Sequence, residues 1–124
     1  MDKIDITIGE KTYTVGYPTV EQLIEIEDVK LLMTNGKYID YTFSALKNHV
    51  LLLDIADAVG YLSVLIPDLK SDLGLEDWKK ASAPVIKPVI KAYKEKFIPW
   101  YKPISEDLYN FDKDDESTEE KTGE

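Results

Sequence analysis

Residues 44–66 read SALKNHVLLLDIADAVGYLSVLI, with Pro67 following. Turned by about 100° per residue, as in a helix, Lys47, Asp54, Asp57 and Tyr61 share one narrow polar stripe. Leu51, Leu52, Ile55, Ala58, Val59, Leu62 and Ile66 form an apolar flank. Ala56, Gly60 and Ser63 form a flat seam where another helix could approach closely. A helix apolar over so much of its surface must be wrapped by other elements or by a partner chain, so the pattern predicts a central helix over 44–66.

Upstream the period changes from helical to two. Ile4, Ile6 and Ile8 alternate with polar residues, as do Tyr13, Val15 and Tyr17, and Gly9-Glu10 lies between the runs. This predicts a β-hairpin with Gly first in a two-residue type II′ turn. Its register sets Ile6 opposite Tyr13 and Ile4 opposite Val15, with all the apolar residues on one side. A lone hairpin is marginal in water, so that side must lie on the helices or extend a neighbour's sheet.

Pro18 stops the second strand. Thr19 and Gln22 make a capping box, which predicts a helix over Val20–Met33 ended by the left-handed stop Asn35-Gly36. This helix carries two apolar stripes, Val20, Leu23, Ile24 and Leu31 on one side and Ile26, Val29 and Met33 on the other. One can face the core; the second covers the hairpin or faces another subunit. Residues 37–43 (KYIDYTF) are β-prone and aromatic and read as a short strand or an ordered loop. Residues 68–73 and 75–81 read as short helical turns, split by Gly74 and with Trp78 as the anchor of the second.

Ser82-Ala83-Pro84 opens a further helix, with Pro84 and Pro88 both expected in or near its first turn, where a missing N–H costs little. Val85, Ile86, Val89, Ile90, Tyr93 and Phe97 form its apolar stripe, opposite Lys87, Lys91 and Lys94. Residues 100–102, bracketed by Pro99 and Pro103, are expected to run extended across the surface. No internal repeat is evident. The fold class expected is α+β, mainly α, with the N-terminal hairpin (1–17) packed on a small helical bundle (19–104). Residues 1–111 make one domain, and a disordered acidic tail occupies 112–124, where no apolar residue offsets the entropy of ordering.

Charge sharpens the picture through its distribution. The net charge is −9, yet residues 79–102 hold seven Lys against Glu95 alone, while 103–124 hold nine acids against two Lys. Every basic residue is Lys, so the guanidinium fork that reads guanine edges or clamps phosphate is missing, and nucleic acid is a poor partner for so acidic a chain. With no cysteine, disulfides and thiolate metal sites are excluded. The start MDKIDITIGEK lacks the basic and apolar regions of a signal peptide. A membrane span over 50–66 is disfavoured, because Asp54 and Asp57 would each cost roughly 2.5–3.5 kcal/mol near the bilayer centre.

Candidate chemistry is sparse. His49 is the sole histidine, without partners at triad or metal spacing, and reads as structural. Asp54 and Asp57 lie three apart on one face and could share a proton or bind a cation; a solvated stripe paired to a Lys of the basic helix explains them more simply. No phosphate loop, nucleophile elbow or zinc spacing is present. No enzyme activity, cofactor or metal is expected. The surfaces suited to partner binding are Ile26, Val29 and Met33 for an apolar contact and Lys87, Lys91 and Lys94 for a charged one.

The hairpin IDITIGEKTYTV, followed by Pro-Thr, a Thr-capped helix, a compact helical body and a charged tail, resembles the tail assembly chaperones of long-tailed phages, especially those of Gram-positive hosts. The resemblance is one of layout and length over about residues 1–100 and implies a non-enzymatic helper in the host cytoplasm. Such a helper binds the tape measure protein, and possibly the tail tube protein, keeping the former soluble during tail assembly, and can form homo-oligomers. The alternative is a small structural virion or head–tail connector protein acting through protein–protein contacts.

Overall fold

Alternation and turn chemistry produce the hairpin as expected. In the computed structural model, which describes residues 2–110, β1 (Lys3–Ile8) and β2 (Lys11–Gly16) pair antiparallel, with Ile6 opposite Tyr13 and Ile4 opposite Val15. Gly9 has φ +66° and Glu10 does not enter positive φ, the pattern that a type II′ turn demands. Ile6, Ile8 and Val15 are buried. On the outer face Thr14 donates to Asp5 at 2.6 Å, and the Thr7 and Thr12 hydroxyls meet at 2.9 Å.

Helix α1 (Val20–Met33) opens with the reciprocal capping box: the Gln22 amide donates to Thr19 Oγ1 at 3.1 Å and the Thr19 amide to Gln22 Oε1 at 2.9 Å. It closes in a Schellman motif. The Gly36 amide reaches back to the Leu31 carbonyl at 2.8 Å and that of Asn35 to Leu32 at 3.3 Å, with Asn35 at φ +52° and Gly36 at φ +80°.

Residues 37–43 depart from the strand or loop expected of them, since Tyr38–Thr42 form a short helix, α2. Side-chain direction supplies the reason. In a helix, positions three apart share a face, whereas in a strand they oppose. The helical turn lets Tyr38 donate to Asp57 at 2.5 Å while Tyr41 stacks on His49 with ring centroids 4.2 Å apart.

The central helix, α3, spans Lys47–Leu65, three residues shorter at its start than the apolar stretch suggested. Leu46 is extended, and Ser44 Oγ takes up both the Leu46 amide at 3.2 Å and His49 Nδ1 at 2.8 Å. The predicted seam receives α1. Ile26 is fully buried there, and a Cβ placed on Gly60 would stand 3.0 Å from Lys30 Cγ and 3.3 Å from the Ile26 carbonyl oxygen. On the other flank Ala58, Val59, Leu62 and Ile66 join the hairpin residues in one core.

A short helix, α4 (Leu69–Asp72), plugs Leu69 into that core and ties down the hairpin: Asp72 accepts from Tyr13 at 2.8 Å and pairs with Lys11 at 3.0 Å. After Gly74 (φ +71°), a 3₁₀ turn at Trp78–Lys80 starts where Asp77 caps the Lys79 amide at 2.9 Å.

The last part of the chain is one uninterrupted helical rod: α5 (Ala83–Ala92), a π-helical turn (Tyr93–Phe97) and α6 (Ile98–Tyr109). Two expectations are corrected here. Pro88 lies in the second turn of α5 rather than the first, and residues 100–102 are helical rather than extended. The prolines stand four apart in both PVIKP (84–88) and PWYKP (99–103). Each second proline therefore deprives only the first proline's carbonyl of a donor, and both first prolines are exposed to water. The wider π-turn falls where the Pro99 ring would otherwise press on the Glu95 carbonyl. Burial repays the irregularity, since Tyr93, Phe97 and Tyr101 ladder into the core around Tyr61, with centroids 5.2–5.7 Å from its ring. Trp100 stacks on Tyr17 at 4.4 Å. The acidic tail expected at 112–124 lies outside the described residues.

Replacing Gly60 by Ala tests the seam. Helix propensity alone favours alanine by about 1 kcal/mol, but overpacking against the α1 backbone costs about 1–3 kcal/mol. Urea unfolding of Gly60→Ala should therefore show a net loss of about 1 kcal/mol; a gain in stability would mean that α1 does not approach α3 as described.

Candidate functional site

Burial along α3 is graded. All its buried residues lie from Ala56 onward, and none of residues 47–55 is buried. Hairpin, α1 and α4 close over the later half, leaving the earlier half to α2 on one side and the start of the rod on the other. Between α3 and α5 this opens an apolar groove of about 800 Å³. Leu51 and Ile55 form one wall, Ile86 and Ile90 the other, and Ala81 and Pro84 one end. A second trough, lined by Met33, Leu52 and Trp78, shares Ile55, Ala81 and Ile86 with it. Exposed apolar side chains also occur earlier in this part of the chain, at Phe43 (87% exposed), Leu46 (63%) and Val50 (47%), while Leu51 in the groove wall is 48% exposed.

Lys87 and Lys91 line the same groove. Neither pairs with a carboxylate among the described residues. Lys94, one turn further, is engaged, at 2.8 Å from Asp54. The three lysines thus lie on the exposed side of the rod as the sequence indicated, but only two are free to meet another molecule. Of the apolar candidates, Ile26 is sealed under α3, and Val29 and Met33 are half-buried against the core. The face that α1 turns to solvent is the other stripe, with Val20, Ile24 and Leu31 all exposed. The reason is Gly60: only the Ile26 side of α1 can settle into the groove that its missing side chain leaves.

Asp54 and Asp57 are separated in function despite sharing a stripe. Asp54 faces Lys94, whereas Asp57 turns inward to Tyr38 and stands 3.8 Å from the Lys30 ammonium. Lys30 is the most buried charge described, 9% exposed. Glu27 holds it at 2.8 Å, and it lies over the Tyr38 and Tyr61 rings at 5.4 and 5.1 Å from their centroids. Burial pushes the Asp57 carboxyl above its ordinary range, against the pull of the Tyr38 bond and of Lys30. This polar knot escaped sequence reasoning. Its only local trace is Lys30 at the seam-facing edge of α1, which reads as one more solvated lysine.

No group of three or more His, Asp or Glu side chains is placed to hold a metal among the described residues. His49 is committed to Ser44 and Tyr41. Helix α3 is long and apolar enough to cross a membrane by length and composition, but here it is the element that α1, α2 and α5 pack upon. The arrangement offers an apolar trough edged by two unpaired ammonium groups, chemistry that suits an amphipathic, acid-flanked polypeptide. No protein-family model, curated protein or solved structure matches the chain.

The phenols around the knot carry a pH signature. Burial first, and nearby carboxylates after it, raise the ionisation of Tyr38 and Tyr93 far above the ordinary value; burial likewise raises Tyr61 and Tyr101. The native state thus keeps protons that the unfolded chain gives up near pH 10. Their contribution to stability is complete below that pH and is lost as pH rises beyond it. Denaturation midpoints should fall steeply above about pH 10, with late phenolate absorbance appearing together with unfolding. Early phenolate formation in the folded protein would contradict the burial of this cluster.

Proposed function

We propose that this protein is a non-enzymatic assembly chaperone that shelters an apolar helical segment of another polypeptide. In keeping with its likeness to tail assembly chaperones, that client would be a phage tape measure protein. One observation carries the reading: Phe43, Leu46, Val50 and Leu51 stand in solvent, and an apolar groove that Leu51 lines and Lys87 and Lys91 edge opens between α3 and α5. Exposed apolar surface on this scale marks sites of protein contact. A helix laid into such a groove would bury its i, i+3, i+4 and i+7 positions, each large aliphatic side chain contributing about 1.5–3 kcal/mol.

Co-expression with a phage tape measure protein provides the test. The wild-type chain should keep that protein in the soluble fraction. Phe43→Ser combined with Leu46→Ser, both at exposed positions, should lose most of this effect while leaving the chaperone's own folded circular dichroism intact. A client equally soluble with the double variant, or with no chaperone at all, would refute the holding role. Retention of the protein in purified particles would favour a connector or virion component instead.

A further inference from the structure

The groove between α3 and α5 continues beyond Ala81. It shares Ile55, Ala81 and Ile86 with the second trough. That trough in turn shares Met33, Trp78 and Lys79 with a third hollow of about 360 Å³, which reaches Val29 and Leu32 on α1 and Ser63 on α3. Along α3 the three depressions run from Leu51 to Ser63, a rise of about 18 Å, whereas the groove alone follows α5 for about 12 Å, from Ala83 to Lys91.

Trp78 stands where the second trough meets the third hollow. Its indole is half-buried, and the turn that carries it is fixed by the Asp77 cap and by Lys79 Nζ, which donates to Asn35 Oδ1 at 2.6 Å. Charge differs between the two ends of the sequence of depressions. Lys87 and Lys91 edge the groove and meet no carboxylate among the described residues. Around the third hollow, Lys70 and Lys79 stand with Glu76 and Asp77, so positive and negative groups balance there. The surface is basic at one end, neutral at the other and apolar between.

We infer that the client contact continues out of the groove, across Trp78 and on to Leu32 of α1, an inference that rests on the holding role proposed above. Its occupant is one amphipathic helical segment of about three turns, the length that fits 18 Å, with its acidic residues confined to the end beside Lys87 and Lys91. Trp78 is then the central contact. Aromatic side chains at the middle of an interface carry much of its binding energy, and an indole already held in place loses little freedom when a partner covers it. The exposed stripe on the other side of α1 takes no part, since Val20, Ile24 and Leu31 line none of the three depressions.

The chain contains no cysteine, so a single one placed in it reports contact through its reaction with a maleimide, read as the mass of this chain. Leu51→Cys marks the groove, Leu32→Cys the far side of Trp78, and Ile24→Cys the solvent face of α1; all three positions are exposed, so folding is not at stake. In the complex co-purified with a phage tape measure protein, Leu51→Cys and Leu32→Cys should each react about tenfold more slowly than in the free protein, because the core of an interface excludes solvent. Ile24→Cys should react at an unchanged rate. Leu32→Glu should weaken client binding about tenfold. A retained client that shields only one of Leu51→Cys and Leu32→Cys, or that binds Leu32→Glu as tightly as the wild type, overturns the extension and leaves the holding role standing. Equal shielding of Ile24→Cys also overturns it, because the depressions then select no face. A wild type that retains no client removes the holding role and this inference with it.

Discussion

The tightest constraint in the molecule is the approach of α1 to α3 at Gly60. With no side chain there, the Ile26 carbonyl and the Lys30 stem come to the distance at which a methyl group would already be crowded. The consequences spread outward from that contact. Ile26 is sealed, and the Lys30 ammonium is carried into the space between the Tyr38 and Tyr61 rings, where Glu27 and Asp57 can reach it. A buried ammonium is tolerated only when paired and hydrogen-bonded. Its surroundings therefore recruit α2, whose Tyr38 completes the shell of Asp57. One absent side chain in α3 thus determines which face of α1 is core, and helps to settle the conformation of the segment that follows it.

Opposite this contact, the rod resolves a conflict between backbone and burial. Four prolines in 83–109 argue against a long helix, yet the aromatic spacing of Tyr93, Phe97 and Tyr101 rewards one, because only helical geometry stacks them successively against Tyr61. The conflict is settled by placing the unpaired carbonyls at exposed prolines and by widening one turn to the π form. Phe97, at the end of that turn, is the largest fully buried side chain. A π-turn inside a helix costs stability and is retained where something is gained; here the gain is the anchoring of the hairpin and α3 on the same aromatic ladder.

Core closure at one end leaves the other end open. Hairpin, α1 and α4 gather around the later half of α3, and among the described residues α2 and the rod flank residues 47–55, none of which is buried. The basic block of the sequence falls on the element that borders this opening, and Lys87 and Lys91 meet no carboxylate among the described residues. Apolar area and unsatisfied positive charge coincide in one place. The proposed holding function rests on that coincidence, which favours a polypeptide partner over nucleic acid, since no arginine is present and the net charge of −9 opposes phosphate.

Local rules made much of this legible in advance. Alternation with Gly9-Glu10 dictates the strand register, Thr19 with Gln22 starts α1, Asn35-Gly36 ends it, and the run Ala56, Gly60, Ser63 marks a surface open to close approach. Each depends on residues a few positions apart, so sequence alone suffices. Other features were decided by the tertiary structure. The two apolar stripes of α1 have equal claim to the core until Gly60 admits one of them, leaving Val20, Ile24 and Leu31 outside. Residues 37–43 favour a strand locally, but only a helical turn brings both Tyr38 to Asp57 and Tyr41 to His49. Asp54 and Asp57 look like a pair until neighbouring elements turn one to Lys94 and the other to Tyr38. Periodicity shows that a face is apolar or charged; which neighbour it meets depends on shape and distance between segments far apart in the chain, and only packing supplies those.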